Sequence, residues 1–223
     1  MNYVLPILAV VASFIFVYLV KPKSQKNIKL LLAFSGAFLL ALSFFELLPK
    51  VYESSNSKNV AVFILIGILL QVFLEFFSKG AEHGHVHIDL KANTFPIVLF
   101  LSLSLHALIE GIPIAEDNNI LYAILVHKIP VALILSVFLV NSKLNTGLSI
   151  LFISLFALMT PLGSFLSQKS TFVLEYQNQL TAIAIGIFFH ISTIVLFESS
   201  QGHSFNLRKL IVIVLGIGIA YFL

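Results

Sequence analysis

The sequence predicts an all-α, polytopic membrane protein, and three observations carry that prediction. Of the 223 residues, 59% are hydrophobic, and mean hydropathy is +1.03. Only 10% are charged, against about 25% in an ordinary soluble domain. Thirteen Lys/Arg and ten Asp/Glu are too few to coat a water-facing surface. The apolar residues also fall into eight runs near the length a membrane helix needs, roughly 20 residues for a hydrocarbon core of about 30 Å. A soluble globular protein is thereby excluded. The chain has no Cys, which removes disulfide scaffolds, thiolate zinc sites and thiol catalysis together.

The runs are taken in order. The first, 3–20, is followed by Lys21-Pro22-Lys23, with no basic segment before it and no small-residue cleavage site after it. It therefore reads as a membrane helix and not as a cleaved signal. The second, 28–49, closes on Leu47-Leu48-Pro49, and the third, 60–78, closes on Lys79. The fourth and fifth, 95–115 and 120–140, are separated by the turn Glu116-Asp117-Asn118-Asn119, which predicts antiparallel neighbours. The sixth and seventh are 147–167 and 180–198. The eighth, 207–223, is marginal, because Arg208 and Lys209 leave only 210–223 free of charge. If that segment lies flat, seven helices span. All connections but one are short; the exception, 79–94, carries Glu82-His83-Gly84-His85-Val86-His87. The whole of 1–223 thus reads as one transmembrane domain.

Basic residues alternate across the loops. The odd-numbered loops and their edges hold Lys21, Lys23, Lys26, Lys29, Lys79, Lys91, Lys143, Arg208 and Lys209, whereas the even-numbered loops hold Lys50, Lys58 and Lys169. The positive-inside rule places the odd loops in the cytoplasm and both termini outside. The same bias explains the net charge of +3 without invoking nucleic acid. The expected location is an integral, multi-pass protein of a bacterial inner (plasma) membrane.

Ionisable side chains inside a bilayer cost at least about 2.5–3.5 kcal/mol each and so mark candidate sites. They are Glu46 in the second span, Glu75 in the third, His106 and Glu110 in the fourth, His127 and Lys128 in the fifth, and His190 and Glu198 in the seventh. His106 and Glu110 are four residues apart and share a helix face. Glu110 lies roughly 9 Å below the outer boundary and His127 roughly 10 Å, counting 1.5 Å per residue. Two imidazoles and a carboxylate at one depth are a ligand set for Zn²⁺ or a similar divalent ion. Gly111, Pro113 and Pro130 weaken both helices nearby, and Pro130 frees the Val126 carbonyl.

The competing reading of any one such residue is a buried structural hydrogen-bonder; depth-matching and the helix breaks favour a metal site of His106, Glu110 and His127. Glu46 reads equally as a vestibule carboxylate or an interfacial Glu. Glu75 precedes Lys79 by four residues, the spacing of an ordinary helical ion pair. His190 either lines a path or packs, and Glu198 either marks an exit or snorkels. His83, His85 and His87 could collect metal weakly on the cytoplasmic side.

His106-Ala107-Leu108-Ile109-Glu110-Gly111 and His127-Lys128-Ile129-Pro130 resemble the fourth- and fifth-helix motifs of Zrt/Irt-like (ZIP) metal transporters. Ser35-Gly36-Ala37-Phe38-Leu39 through Leu47-Leu48-Pro49 is similar to that family's second helix, Pro161-Leu162-Gly163 to its sixth and Gly186-Ile187-Phe188-Phe189-His190 to its seventh. The resemblance implies an eight-helix bundle of the ZIP type and movement of Zn²⁺ or another divalent transition metal towards the cytoplasm. It also implies a path along the second, fourth, fifth and seventh spans, where Glu46, Lys128, His190 and Glu198 are candidates. Metal is then a transported substrate, and no organic cofactor is expected.

The chain departs from the family pattern at Ala107, Lys128 and Val131, where ligands of a second metal commonly stand. A Lys128 facing the path would replace the second cation with a tethered ammonium and leave a mononuclear site. The same departures permit a transport-impaired relative. An intramembrane zinc hydrolase is the enzymatic alternative, but the H-E-x-x-H spacing is missing; haem ligation by His106, His127 or His190 is weaker still. Expected partners are the lipid bilayer and the metal ion, with no nucleic acid. Small-residue patches at Gly36, Ala37 and Ala41, or at Gly216 and Ala220, would pack helices within one protomer or across a homodimer.

Overall fold

The computed structural model describes residues 3–22, 26–53, 56–81, 90–115, 118–198 and 207–222. Among them the regular structure is helical throughout: α1 (Val4–Val20), α2 (Lys26–Leu42), α3 (Leu48–Glu53), α4 (Ser57–Ser78), α5 (Ile97–Glu110), α6 (Asn118–Asn141), α7 (Thr146–Lys169), α8 (Thr171–Glu175), α9 (Gln177–Glu198) and α10 (Leu207–Tyr221). Each of the eight apolar runs lies on one or more of these helices. Among the described residues, six helical stretches are long and apolar enough to cross a membrane, and α1 and α10 are shorter. At 1.5 Å per residue, the 17 residues of α1 and the 15 of α10 extend about 25 and 22 Å, less than the roughly 30 Å core. The chain is therefore an integral multi-pass membrane protein. The loop histidines His83, His85 and His87 lie outside the described residues.

Two helices differ from the continuous spans expected, each at a proline. The second span runs from α2 into a π-helical turn, Ser43–Leu47, and on through α3 to Glu53. Pro49 offers no N–H to the Phe45 carbonyl, and its ring crowds that carbonyl. A wider turn relieves the conflict, with the Leu48 N–H reaching back five residues to Ser43. The fourth span breaks after Glu110: Gly111 donates to the Leu108 carbonyl (3.1 Å), and Ile112–Ala115 continues as a 3₁₀ turn around Pro113. Glu110 thereby becomes the last residue of α5.

Packing follows close backbone approach at small residues. A Cβ added to Gly67 on α4 would overlap the Ile183 carbonyl oxygen on α9, and one added to Gly186 on α9 would overlap that of Ile64 on α4. The α5–α7 crossing repeats the device, with Gly111 against Thr160 and Gly163 against Leu108, and the Thr160 hydroxyl donates to the Ala107 carbonyl (3.0 Å). Van der Waals packing of such small-residue faces is what holds helices together where lipid removes the hydrophobic drive.

The helices form two groups. In one, α1 packs on α6 and α5 on α7; in the other, α4 packs on α9 and α10 on α2. Helix α2 joins the groups by touching both α6 and α9, and α9 also touches α5. The short α5–α6 connection does not make these two helices principal neighbours: α5 packs on α7 and α4, and α6 on α1 and α2. The break at Glu110 and the 3₁₀ turn after it redirect the chain before α6 begins, so sequence adjacency fails to become helix packing.

Candidate metal centre

Where α5 ends, its last carbonyls carry the partial negative charge of the helix dipole. Glu110 adds a full carboxylate at that same end and is 1% exposed. Two negative features buried together demand a cation. The structure supplies it from α6: the Lys128 ammonium lies 2.6 Å from Glu110 Oε2, both side chains being buried. A Lys–carboxylate bond of this length is charge-assisted and strong, and neither ion would be tolerated there without the other. The contact also fixes the relative depth of α5 and α6.

The other two expected ligands lie on the same helices and are also buried. His106 sits one turn before Glu110, and His127 immediately precedes Lys128. Neither ring nitrogen of His127 has a hydrogen-bond partner, and the second Glu110 oxygen, Oε1, is likewise unpartnered. A neutral imidazole brings one N–H and one lone pair, and Glu110 Oε1 brings lone pairs; buried polar atoms of this kind are costly unless something else binds there. Yet among the described residues no three of His, Cys, Asp or Glu come close enough to hold a metal ion. The carboxylate is engaged by Lys128, and His106, Glu110 and His127 do not close into a ligand cluster in this structure.

The remaining candidates separate. Glu46 sits in the π-helical turn and pairs with Lys50 one turn on (3.8 Å), both side chains being over a third exposed. The Glu198 side chain lies outside the described residues. His190 on α9 faces Glu75 on α4, Nε2 to Oε2 3.6 Å. This contact was hidden in the sequence because Lys79, one turn on from Glu75, offered an ordinary intrahelical partner. Phe156 on α7 was also missed: its ring lies under the Lys128 ammonium, 5.1 Å from centroid to Nζ. An apolar residue in an apolar helix carries no sequence signal for such a role.

Comparison with known proteins places this arrangement. The ZIP Zinc transporter family model matches residues 78–223, more than half of the chain and all of α5, α6, α7, α9 and α10.

The chain belongs to the ZIP zinc transporter family.

Similar individual proteins include Zinc transporter ZIP1 of Danio rerio, 42% identical over 93 residues, which are 38% of this chain and 30% of that protein. Zinc transporter ZIP1 of Takifugu rubripes is 40% identical over 87 residues, 35% of this chain and 29% of that protein. Protein zntD of Dictyostelium discoideum is 27% identical over 150 residues, 57% of this chain and 22% of that protein. The ZIP chain thus matches less than a third of the length of each of these curated relatives. They come from fish and from Dictyostelium, so they lend no support to the expected bacterial inner membrane.

Proposed function

We propose that this protein is a divalent transition-metal transporter, most suited to zinc, which moves metal towards the cytoplasm through an intramembrane site between α5 and α6. The observation that carries the reading is the buried cation site at the end of α5. There the Glu110 carboxylate, on the last residue of α5, already holds a cation, the Lys128 ammonium. Membership of the ZIP zinc transporter family supports reading the exchanged cation as a divalent metal.

His106, Glu110 and His127 are the metal ligands in this proposal. Glu110 Oε1 and one ring nitrogen of His127 are the lone-pair donors that metal would take up. Lys128 stands where a second metal's ligand would be, so the site is mononuclear. Its ammonium competes with metal for Glu110, which weakens binding and favours release. The contacts of α2 with α6 and α9, and of α9 with α5, support a path bounded by these four helices. Glu46, Lys128, His190 and Glu198 are its further candidate residues, and His83, His85 and His87 would collect metal at the cytoplasmic side.

The topology we propose has one domain over 1–223, eight spans and both termini outside, with α1 and α10 crossing where flanking residues or local thinning make up their length. The metal is substrate, the lipid bilayer is solvent, and a homodimer is the proposed assembly. No organic cofactor, enzymatic step or nucleic-acid partner belongs to the reading.

One observation favours a second reading, a transport-impaired relative: Lys128 occupies the carboxylate that metal would need. Zinc uptake by purified protein in proteoliposomes decides between them. The transport reading expects uptake above empty vesicles and at least a tenfold loss in His106→Ala and in Glu110→Ala. Undiminished uptake in both variants removes the proposed site, and no uptake of zinc, iron, manganese or cadmium by the unaltered protein establishes the impaired relative.

A further inference from the structure

The Lys128 ammonium meets two partners. One is the Glu110 carboxylate on α5 at 2.6 Å, and the other is the ring of Phe156 on α7, its centroid 5.1 Å from Nζ. Phe156 is 1% exposed and belongs to the same apolar cluster as Leu103, Ala107, Ala132 and Leu135, so its ring is held by packing. A ring face presents the negative part of the aromatic quadrupole and attracts an ammonium at this distance, most strongly where water is excluded.

We propose that Phe156 is a positioning residue of the metal site, the seat that receives the Lys128 ammonium when a divalent ion takes over the Glu110 carboxylate. The inference rests on the reading of Glu110 as a metal ligand and adds what happens to the cation already there. The ammonium is tied to α6 by its four-carbon stem and cannot follow the exchanged charge out of the membrane. Left beside the arriving metal it would repel it, since two cations a few ångströms apart in a low-dielectric interior oppose each other strongly. It needs an acceptor within reach that does not itself bind the metal. A carboxylate in that place would capture a second metal, and a hydroxyl would offer it an oxygen ligand. A phenyl ring attracts the ammonium and offers a divalent transition-metal ion no lone pair.

The ring therefore stabilises the metal-bound state, in which the ammonium has lost its carboxylate, more than the metal-free state, in which it has not. Phe156→Leu keeps an apolar side chain and deletes the ring. Equilibrium zinc binding to the purified, detergent-solubilised protein is expected to weaken about three- to thirtyfold, the range of a buried cation–ring contact. KM for zinc uptake should rise with it, and kcat should change less. In a Lys128→Met background, where no ammonium needs a seat, Phe156→Leu should change zinc affinity less than twofold. An equal loss in both backgrounds makes Phe156 ordinary packing and overturns the proposal.

Thermal unfolding of the metal-free protein supplies a readout independent of zinc. Phe156→Leu should lower Tm more in the unaltered chain than in Glu110→Gln/Lys128→Met, where the ion pair is replaced by a neutral one; equal shifts again overturn the proposal. If the unaltered protein binds none of zinc, iron, manganese or cadmium while this coupling persists, the transport reading fails and the seat's role falls with it. If it binds zinc and the coupling is absent, the seat alone fails.

Discussion

Gly163 on α7 lies against Leu108 on α5 so closely that a Cβ at position 163 would overlap the Leu108 carbonyl oxygen. The obstruction is backbone on both sides, so no rotamer change relieves it. Gly163→Ala should therefore separate α5 from α7, strain the bond from the Thr160 hydroxyl to Ala107, and shift Glu110 two residues on. Overpacking of this kind costs about 1–3 kcal/mol, read as a lower unfolding temperature in detergent, and uptake should fall with it. Gly218→Ala on α10 is the matched control, because nothing lies within 4 Å of its added Cβ; its stability should be unchanged or rise by up to about 1 kcal/mol, the gain of Ala over Gly in a helix. A Gly163→Ala protein as stable as that control would refute the close crossing.

The Glu110–Lys128 pair predicts a non-additive stability series. Removing one partner strands a buried charge and costs about 3–5 kcal/mol, whereas replacing both by neutral groups is often close to neutral. Glu110→Gln and Lys128→Met should each unfold well below the unaltered protein, and the double variant should recover most of the loss. Additive losses would mean that the two side chains do not share a charge site.

Glu75 and His190 predict the opposite balance. The side chains are 24% and 13% exposed and 3.6 Å apart, so the pair is longer and less buried than Glu110–Lys128. Separating it should lower the unfolding temperature less than separating Glu110–Lys128 does. If His190 lines the metal path, His190→Ala should nevertheless lower zinc uptake severalfold at nearly unchanged unfolding temperature. Uptake equal to the unaltered protein takes His190 off the path.

Lys21 and Lys79 follow α1 and α4 with positive φ, 47° and 49°. Helices commonly end in this left-handed conformation, but it suits Gly and strains a residue bearing a Cβ. Lys21→Gly and Lys79→Gly should each relieve roughly 1–2 kcal/mol of backbone strain, partly offset by the greater freedom of Gly in the unfolded chain. Under the topology we propose both lysines face the cytoplasm, which would supply a reason for a lysine where backbone geometry favours glycine. Unfolding temperatures of the two variants check the gain.

The candidate residues were legible because membranes make polar residues conspicuous. His106, Glu110, His127 and Lys128 stand out in apolar helices, and their helical spacing sets two of them on one face of α5. What spacing could not give was who touches whom. Glu75 carried an equally visible signal, but its nearest partner in sequence was Lys79 and the contact made in space is with His190. The missing α5–α6 packing has the same origin: a short connection suggests adjacency, but Gly111 and Pro113 bend the chain before α6 starts.

The sequence alone determined the solvent, the helical class, the charge asymmetry of the loops and the motifs of the ZIP family, because hydropathy, residue spacing and lysine placement are local properties of the chain. Only the tertiary structure decided that Glu110 ends its helix bound to Lys128, with Phe156 beneath the ammonium, and that His106 and His127 do not close with the carboxylate into a ligand cluster. Those outcomes depend on how closely glycine faces let α5 approach α7, and on how far a lysine stem reaches from α6. Both are distances between segments remote in sequence, and no periodicity within a single helix encodes them.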